Sequence, residues 1–205
     1  MGIIQRLSFK DQTFQLREQA ILQATTRILS NKGFDLMTMD DVATEVGISK
    51  PVLYKHFKSK EDLAGAAMVG LLDGALAELD AQPADMRPVD RIAALLGWAI
   101  RLRLAGGMPL LPSTSSHVRS MLMRNLGYVA SALKFHNRMT KVVREGRKLG
   151  QLRKELPEDV LLFGFYARTC DPAVDYLRLY SKLDDDAIVR HMVQVSLQGI
   201  AVSSP

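Results

Sequence analysis

The sequence predicts an all-α protein of about nine helices, on three observations. Apolar residues recur at spacings of three, four and seven, which is the signature of a helix with one buried face. No stretch shows the strict apolar and polar alternation of a half-buried strand. Glycines and prolines at Gly33, Gly47, Pro88, Gly106-Gly107, Gly150 and Pro157 cut the chain into helix-sized pieces.

In chain order, a first helix is expected over residues 11–32, where Phe14, Ile21 and Ile28 lie seven apart and Gly33 supplies the left-handed stop. Thr38 reads as the N-cap of a second, short helix. Its hydroxyl can accept an otherwise orphaned amide, and Asp40 and Asp41 fall where the helix dipole favours acids. Met39, Val42, Ala43 and Val46 form that helix's apolar stripe, and Gly47 ends it after two turns. Ser49 opens a third helix, with Pro51 in the first turn, where a missing amide proton costs nothing. Two short helices around a glycine turn make a helix-turn-helix. Ser59 and Asp62 form a capping pattern for a fourth helix that runs to about residue 79.

Pro83 and Pro88 bracket a polar link, Ala84-Asp85-Met86-Arg87. The expected organisation is therefore a head over residues 1–65, a connecting helix over 66–82 and a second domain over 83–205. In that domain a helix of about seventeen residues follows Pro88 and stops at Gly106-Gly107. Helical pattern resumes over 113–149, broken near Gly127. Next comes Val160-Leu161-Leu162-Phe163-Gly164-Phe165-Tyr166-Ala167, apolar almost all round and so expected to be buried on every side. Asp171-Pro172 interrupts it. A last helix over 184–201 has two apolar faces, one holding Ile188, Met192, Val195 and Gly199. Two faces suggest two partners: the chain's own core and a second copy. Tyr176, Ile188, Met192, Val195 and Gly199 are the candidate dimer residues.

Composition narrows the function. The 205 residues are 47% hydrophobic and 24% charged, a globular balance with enough chain for one or two cores. A net charge of +5 favours an anionic partner. No apolar run reaches the roughly eighteen residues of a membrane helix, and the first ten residues lack a signal peptide's apolar region. The expectation is a cytoplasmic protein with no membrane partner. The single cysteine, Cys170, has no internal disulfide partner. The four histidines show no metal-ligand spacing, and no nucleophile elbow, phosphate loop or dinucleotide fingerprint occurs. No enzyme and no cofactor is expected.

The most informative stretch is Ile48-Ser49-Lys50-Pro51-Val52-Leu53-Tyr54-Lys55-His56-Phe57-Lys58-Ser59-Lys60. As a helix it sends Leu53 and Phe57 to the core and turns Lys50, Pro51, Tyr54 and Lys55 away from it. One face packs while the other carries phosphate neutralisers and a phenol, which suits a recognition helix in a DNA major groove. The placement is local, since residues 1–62 hold nine Lys and Arg against eight Asp and Glu.

Thr38-Met39-Asp40-Asp41-Val42-Ala43, then Val46-Gly47-Ile48-Ser49-Lys50, then Leu53-Tyr54-Lys55-His56-Phe57-Lys58-Ser59-Lys60-Glu61-Asp62-Leu63 resemble the DNA-binding signature of TetR-type transcriptional regulators. The resemblance covers residues 11–65. It implies that Thr38, Ser49, Tyr54, His56 and Lys60 hold the DNA backbone, His56 through its main-chain amide as well as its ring. It also implies base-edge contacts from Lys50, Pro51 and Lys55. The position of Pro51 is often glycine or another small residue in the family. Proline offers an apolar ring to a thymine methyl and no amide to a phosphate, so base preference does not carry over. Arg6 and Lys10 are a possible minor-groove arm, though fraying is the favoured reading of a terminus.

The same resemblance implies that the second domain dimerises and binds an effector, that the protein is a repressor, and that the effector releases it from a pseudo-palindromic operator. Trp98, Arg101, Met121, Tyr128, Phe163 and Tyr166 are candidate pocket residues for a largely apolar small molecule, although any core needs side chains of this kind. The basic segment over residues 134–154 reads as a solvated face, because its charges surround the helix. The alternative from another class is a helical small-molecule binding protein whose DNA-binding head is vestigial.

Overall fold

The structure is a computed structural model that describes residues 9–109 and 115–198. Ten helices account for those residues: α1 (Phe9–Leu36), α2 (Met39–Val46), α3 (Lys50–His56), α4 (Lys60–Ala81), α5 (Pro88–Leu104), α6 (Ser116–Arg124), α7 (Leu126–Lys148), α8 (Glu158–Thr169), α9 (Ala173–Tyr180) and α10 (Asp185–Gln198). The all-α expectation holds among the described residues. Gly199 and Arg6 lie outside them.

Local signals act where the sequence places them. Gly33 adopts φ 74° inside α1 and kinks it, a conformation that only glycine takes without strain. Gly47 caps α2 at φ 72°. α5 covers Pro88–Leu104, as the proline and glycine stops predict. One break falls elsewhere. Asn125, not Gly127, separates α6 from α7: its amide closes α6 on the Leu122 carbonyl, and its side-chain oxygen accepts from the Tyr128 amide to open α7. Gly65 lies so close to this elbow that an added Cβ would stand 2.2 Å from the Asn125 side-chain nitrogen.

Two apolar cores form. The larger gathers Leu76, Leu79, Leu95, Leu96, Ile100, Met139, Val143, Leu161, Leu162, Phe165 and Ile188 from α4, α5, α7, α8 and α10. The smaller joins Ile21, Leu29, Phe34, Val42, Leu53 and Leu63 of the first four helices, with Met37 and Phe57 between them, to Val118 and Leu122 of α6. The head therefore completes its core with a helix of the second domain. A hydrogen bond from Ser30 Oγ to the Met108 carbonyl, 2.5 Å, adds a second tie. At the C-terminal end of α5, Arg103 makes a two-pronged pair with Asp175 of α9 at 2.6 and 3.1 Å.

The expectation that residues 160–167 are buried all round is wrong. Leu161, Leu162 and Phe165 enter the core, but Val160 and Phe163 are exposed, Phe163 at 63%. α8 lies on the outside of the chain, so its second apolar stripe finds no cover within it. Ile188 is corrected in the opposite direction. It is 0% exposed in its own chain's core and has no surface to give a second copy. Met192 also packs on that core, while Tyr176 and Val195 are exposed.

Candidate nucleic-acid interface

The site begins with the cap of α2. The Thr38 hydroxyl accepts from the Asp41 amide at 3.1 Å, and Asp41 Oδ2 accepts from the Thr38 amide at 3.0 Å. This reciprocal pair is a capping box. The Thr38 hydroxyl also donates to Asp41 at 2.9 Å. Lys32 donates to the other carboxylate oxygen at 2.8 Å. The Lys32 bond first, and those of Thr38 next, hold the Asp41 carboxyl down at about 2.

α2 ends at left-handed Gly47, whose turn returns the Ile48 amide to the Ala43 carbonyl at 3.0 Å. Ser49 then starts α3 in an extended conformation. Its carbonyl accepts from the Val52 and Leu53 amides, and its hydroxyl makes no cap bond. Leu53 is fully buried, and Phe57 caps the helix from within the core. Ser49, Lys50, Pro51, Tyr54 and Lys55 are exposed, Tyr54 at 44%. That is the division a groove-reading helix requires: an apolar anchor beneath and a hydroxyl, a phenol, a lysine and a pyrrolidine ring above.

Not every residue of the expected set is available. Both donors of Thr38 are committed to Asp41, which leaves it none for a phosphate. The His56 side chain is 1% exposed and lies flat against Phe14, centroids 4.0 Å apart, so its ring cannot reach DNA. Burial pushes its imidazolium below the usual histidine range, with Glu18 opposing. The Lys60 ammonium donates to the Asp35 carbonyl at 3.0 Å and sits 4.5 Å over the Phe34 ring. Lys50 pairs with Asp40 at 2.9 Å on an open surface where DNA phosphates would compete for it. Asp40 and Phe14 are participants that sequence reasoning missed. Each meets its partner across a turn or another helix, at separations that no helical periodicity marks.

The candidate pocket residues do not share one cavity. Trp98 lies against Gly74 of α4, and Tyr166 shares a hydrogen bond with His136 Nδ1 at 3.1 Å. Burial pushes the Tyr166 phenol up to about 12. Met121 and Tyr128 pack on the head core, and Arg101 and Phe163 are exposed. An open cleft of about 260 Å3 lies between α4 and α6, lined by Glu61, Asp62, His117, Ser120, Arg124, Asn125 and Met121. Met121 alone of the six candidates touches it. On α7, Arg138 pairs with Asp80 and Arg144 with Glu158, which partly neutralises the basic face. Among the described residues there is no cluster able to hold a metal, and no helix is long and apolar enough to cross a membrane.

Fold and site together show a helix-turn-helix, α2 and α3, within an all-helical chain. Residues 21–67 match the family model described as bacterial regulatory proteins, tetR family. Over 64 residues it is 39% identical to the HTH-type transcriptional regulator EthR of Mycolicibacterium smegmatis, an overlap of 31% of this chain and 28% of that protein. Over 47 residues it is 40% identical to the HTH-type transcriptional activator FasR of the same organism, covering 23% of this chain and 22% of that one. In both cases the match spans less than a third of the relative's length. Across nearly the whole fold, the chain superposes on the structure of AibR in complex with isovaleryl coenzyme A and operator DNA. The TM-score is 0.62 with 21% identity, covering 87% of this chain and 97% of that one.

Proposed function

We propose that the protein is a ligand-responsive transcriptional regulator that binds a pseudo-palindromic DNA operator as a homodimer inside the cell, and that it acts as a repressor released by a small molecule. The observation that carries this reading is the exposed face of Ser49, Pro51, Tyr54 and Lys55 raised over buried Leu53. Tyr54 and the Ser49 hydroxyl supply backbone donors, Lys55 and a displaced Lys50 supply charge, and Pro51 supplies apolar contact to a base.

Exposed Val160 and Phe163 on α8, and exposed Val195 on α10, support dimerisation. Exposed apolar area of this kind is costly unless another surface covers it. Two copies would present two recognition helices, and operator binding requires those to lie about one DNA turn, 34 Å, apart. Because Val118 and Leu122 of α6 belong to the head's core, an effector that shifts α6 would move the head and change that spacing. Its influence on DNA binding is limited to its difference in affinity between the two arrangements.

Selection of bound duplexes from a random DNA pool at near-physiological salt tests the reading. The expected result is an enriched inverted repeat. Binding that enriches no sequence and vanishes as salt rises would reduce the protein to non-specific phosphate attraction.

A further inference from the structure

We infer that His56 serves DNA binding as a buried aromatic wedge clamped beneath Phe14, which fixes the position of the recognition helix, and not as a donor to a phosphate. The inference rests on the regulator reading above and assigns a positioning role to Phe14 and to the early turns of α1.

His56 is the last residue of α3, and Phe14 lies in the second turn of α1. Their rings are stacked, 4.0 Å between centroids and 24° between planes, so each covers a face of the other. Nδ1 is buried without a hydrogen-bond partner among the described residues, and Glu18 Oε2 stands 3.9 Å from it. Glu18 follows Phe14 by four residues, so ring cover and carboxylate come from one face of α1. An imidazole so enclosed offers DNA neither a donor nor an exposed charge.

What the ring does offer is a second foothold. α3 has seven residues and one fully buried side chain, Leu53. Leu53 and the core residue Phe57 just past the helix end hold one side of α3, and the stack at the helix's last residue adds a contact to α1 that resists rocking about them. Phe14 is not part of the head's apolar core and remains 44% exposed. An aromatic side chain outside the core, laid on the end of α3, is accounted for by the ring it covers. Tyr54 and Lys55 immediately precede His56, so their reach into a groove is set by where that ring is seated. Loss of the wedge should therefore damage base readout more than phosphate attraction.

The test first selects an operator from a random duplex pool with the wild-type protein. Affinities for that operator and for a scrambled duplex of equal composition are then measured for His56→Phe, His56→Ala, Phe14→Tyr and Phe14→Ala. Circular dichroism melts identify the variants that are folded at the assay temperature. The expected result is that His56→Phe and Phe14→Tyr bind the operator within about threefold of wild type, while His56→Ala and Phe14→Ala lose roughly tenfold or more on the operator and much less on the scrambled duplex. If the alanine variants do not fold, His56→Phe decides, since a phenyl ring keeps the wedge and removes both nitrogens. Loss by His56→Phe equal to that of a folded His56→Ala, or a tenfold loss by His56→Phe alone, would overturn the inference. Equal losses on both duplexes would overturn it as well. A pool with no enriched sequence would sink the regulator reading and the inference with it, whereas an enriched operator that His56→Phe fails to bind sinks the inference alone.

Discussion

Helices α3 and α8 each carry more apolar side chains than one face needs, and they dispose of them in opposite ways. In and just after α3 the buried side chains are covered within the chain: Leu53 and Phe57 enter the core and the His56 ring goes under Phe14, while Pro51 and Tyr54 stay exposed. In α8 the inner stripe of Leu161, Leu162 and Phe165 is buried while Val160 and Phe163 face outward. The first four helices with α6 thus cover their apolar residues within the chain, whereas α8 leaves Val160 and Phe163 exposed. On the proposed reading, recognition is built within one chain, while the spacing of two recognition helices takes a second copy set against α8.

Four changes would break or sharpen that contrast. The largest effect is expected from Leu53→Ala. Removing a fully buried leucine from a small core should cost about 2–5 kcal/mol, visible as a lowered melting temperature and lost DNA binding. An unchanged melt would mean that α3 is not anchored as described. Next, Phe163→Asp should leave the monomer's melt nearly untouched but weaken self-association by roughly a hundredfold or more, because a carboxylate would be buried in an apolar contact. Sedimentation equilibrium reads this directly, and an unaltered association constant would move the interface away from α8.

Third, Lys55→Ala should weaken operator binding about tenfold and reduce the slope of log affinity against log salt by about one. An unchanged slope would show that Lys55 does not meet a phosphate. The smallest effect concerns pH and the head's cap. The unfolded Asp41 carboxyl titrates near 3.8 and the folded one at about 2, so the folded state binds the proton less readily. Its contribution is full above the unfolded value and is lost as pH falls from 3.8 toward 2. Urea melts of Asp41→Asn should therefore converge on wild type as pH is lowered through that window. A gap that stays constant would remove Asp41 as the titrating group.

The sequence is most legible where structure is made locally. Thr38, Gly47, Ser49, Pro88 and Ser59 mark helix ends through bonds that reach only a few residues, and α2, α3, α4 and α5 begin or end where those residues say. It is least legible where a side chain's fate depends on a distant neighbour. Nothing near His56 announces that Phe14 will cover it, and nothing near Lys60 announces the Asp35 carbonyl and the Phe34 ring. The apolar run of α8 shows a subtler limit. Periodicity reports that a face wants cover, not whether the cover comes from the same chain, so Phe163 read as core and Ile188 as interface when their surroundings are reversed. The six candidate pocket residues show a related limit: size and polarity identify good lining, while the packing of whole helices decides which residues meet, and here Met121 and Tyr128 pack on one core and Trp98 and Tyr166 on the other.

The most direct test of the central claim is the mass of the protein in complex with its selected duplex, measured by sedimentation equilibrium. The account predicts two chains on one inverted repeat for the wild type, and a single chain on a half-site for Phe163→Asp at the same concentration. A wild-type complex containing one chain would contradict it.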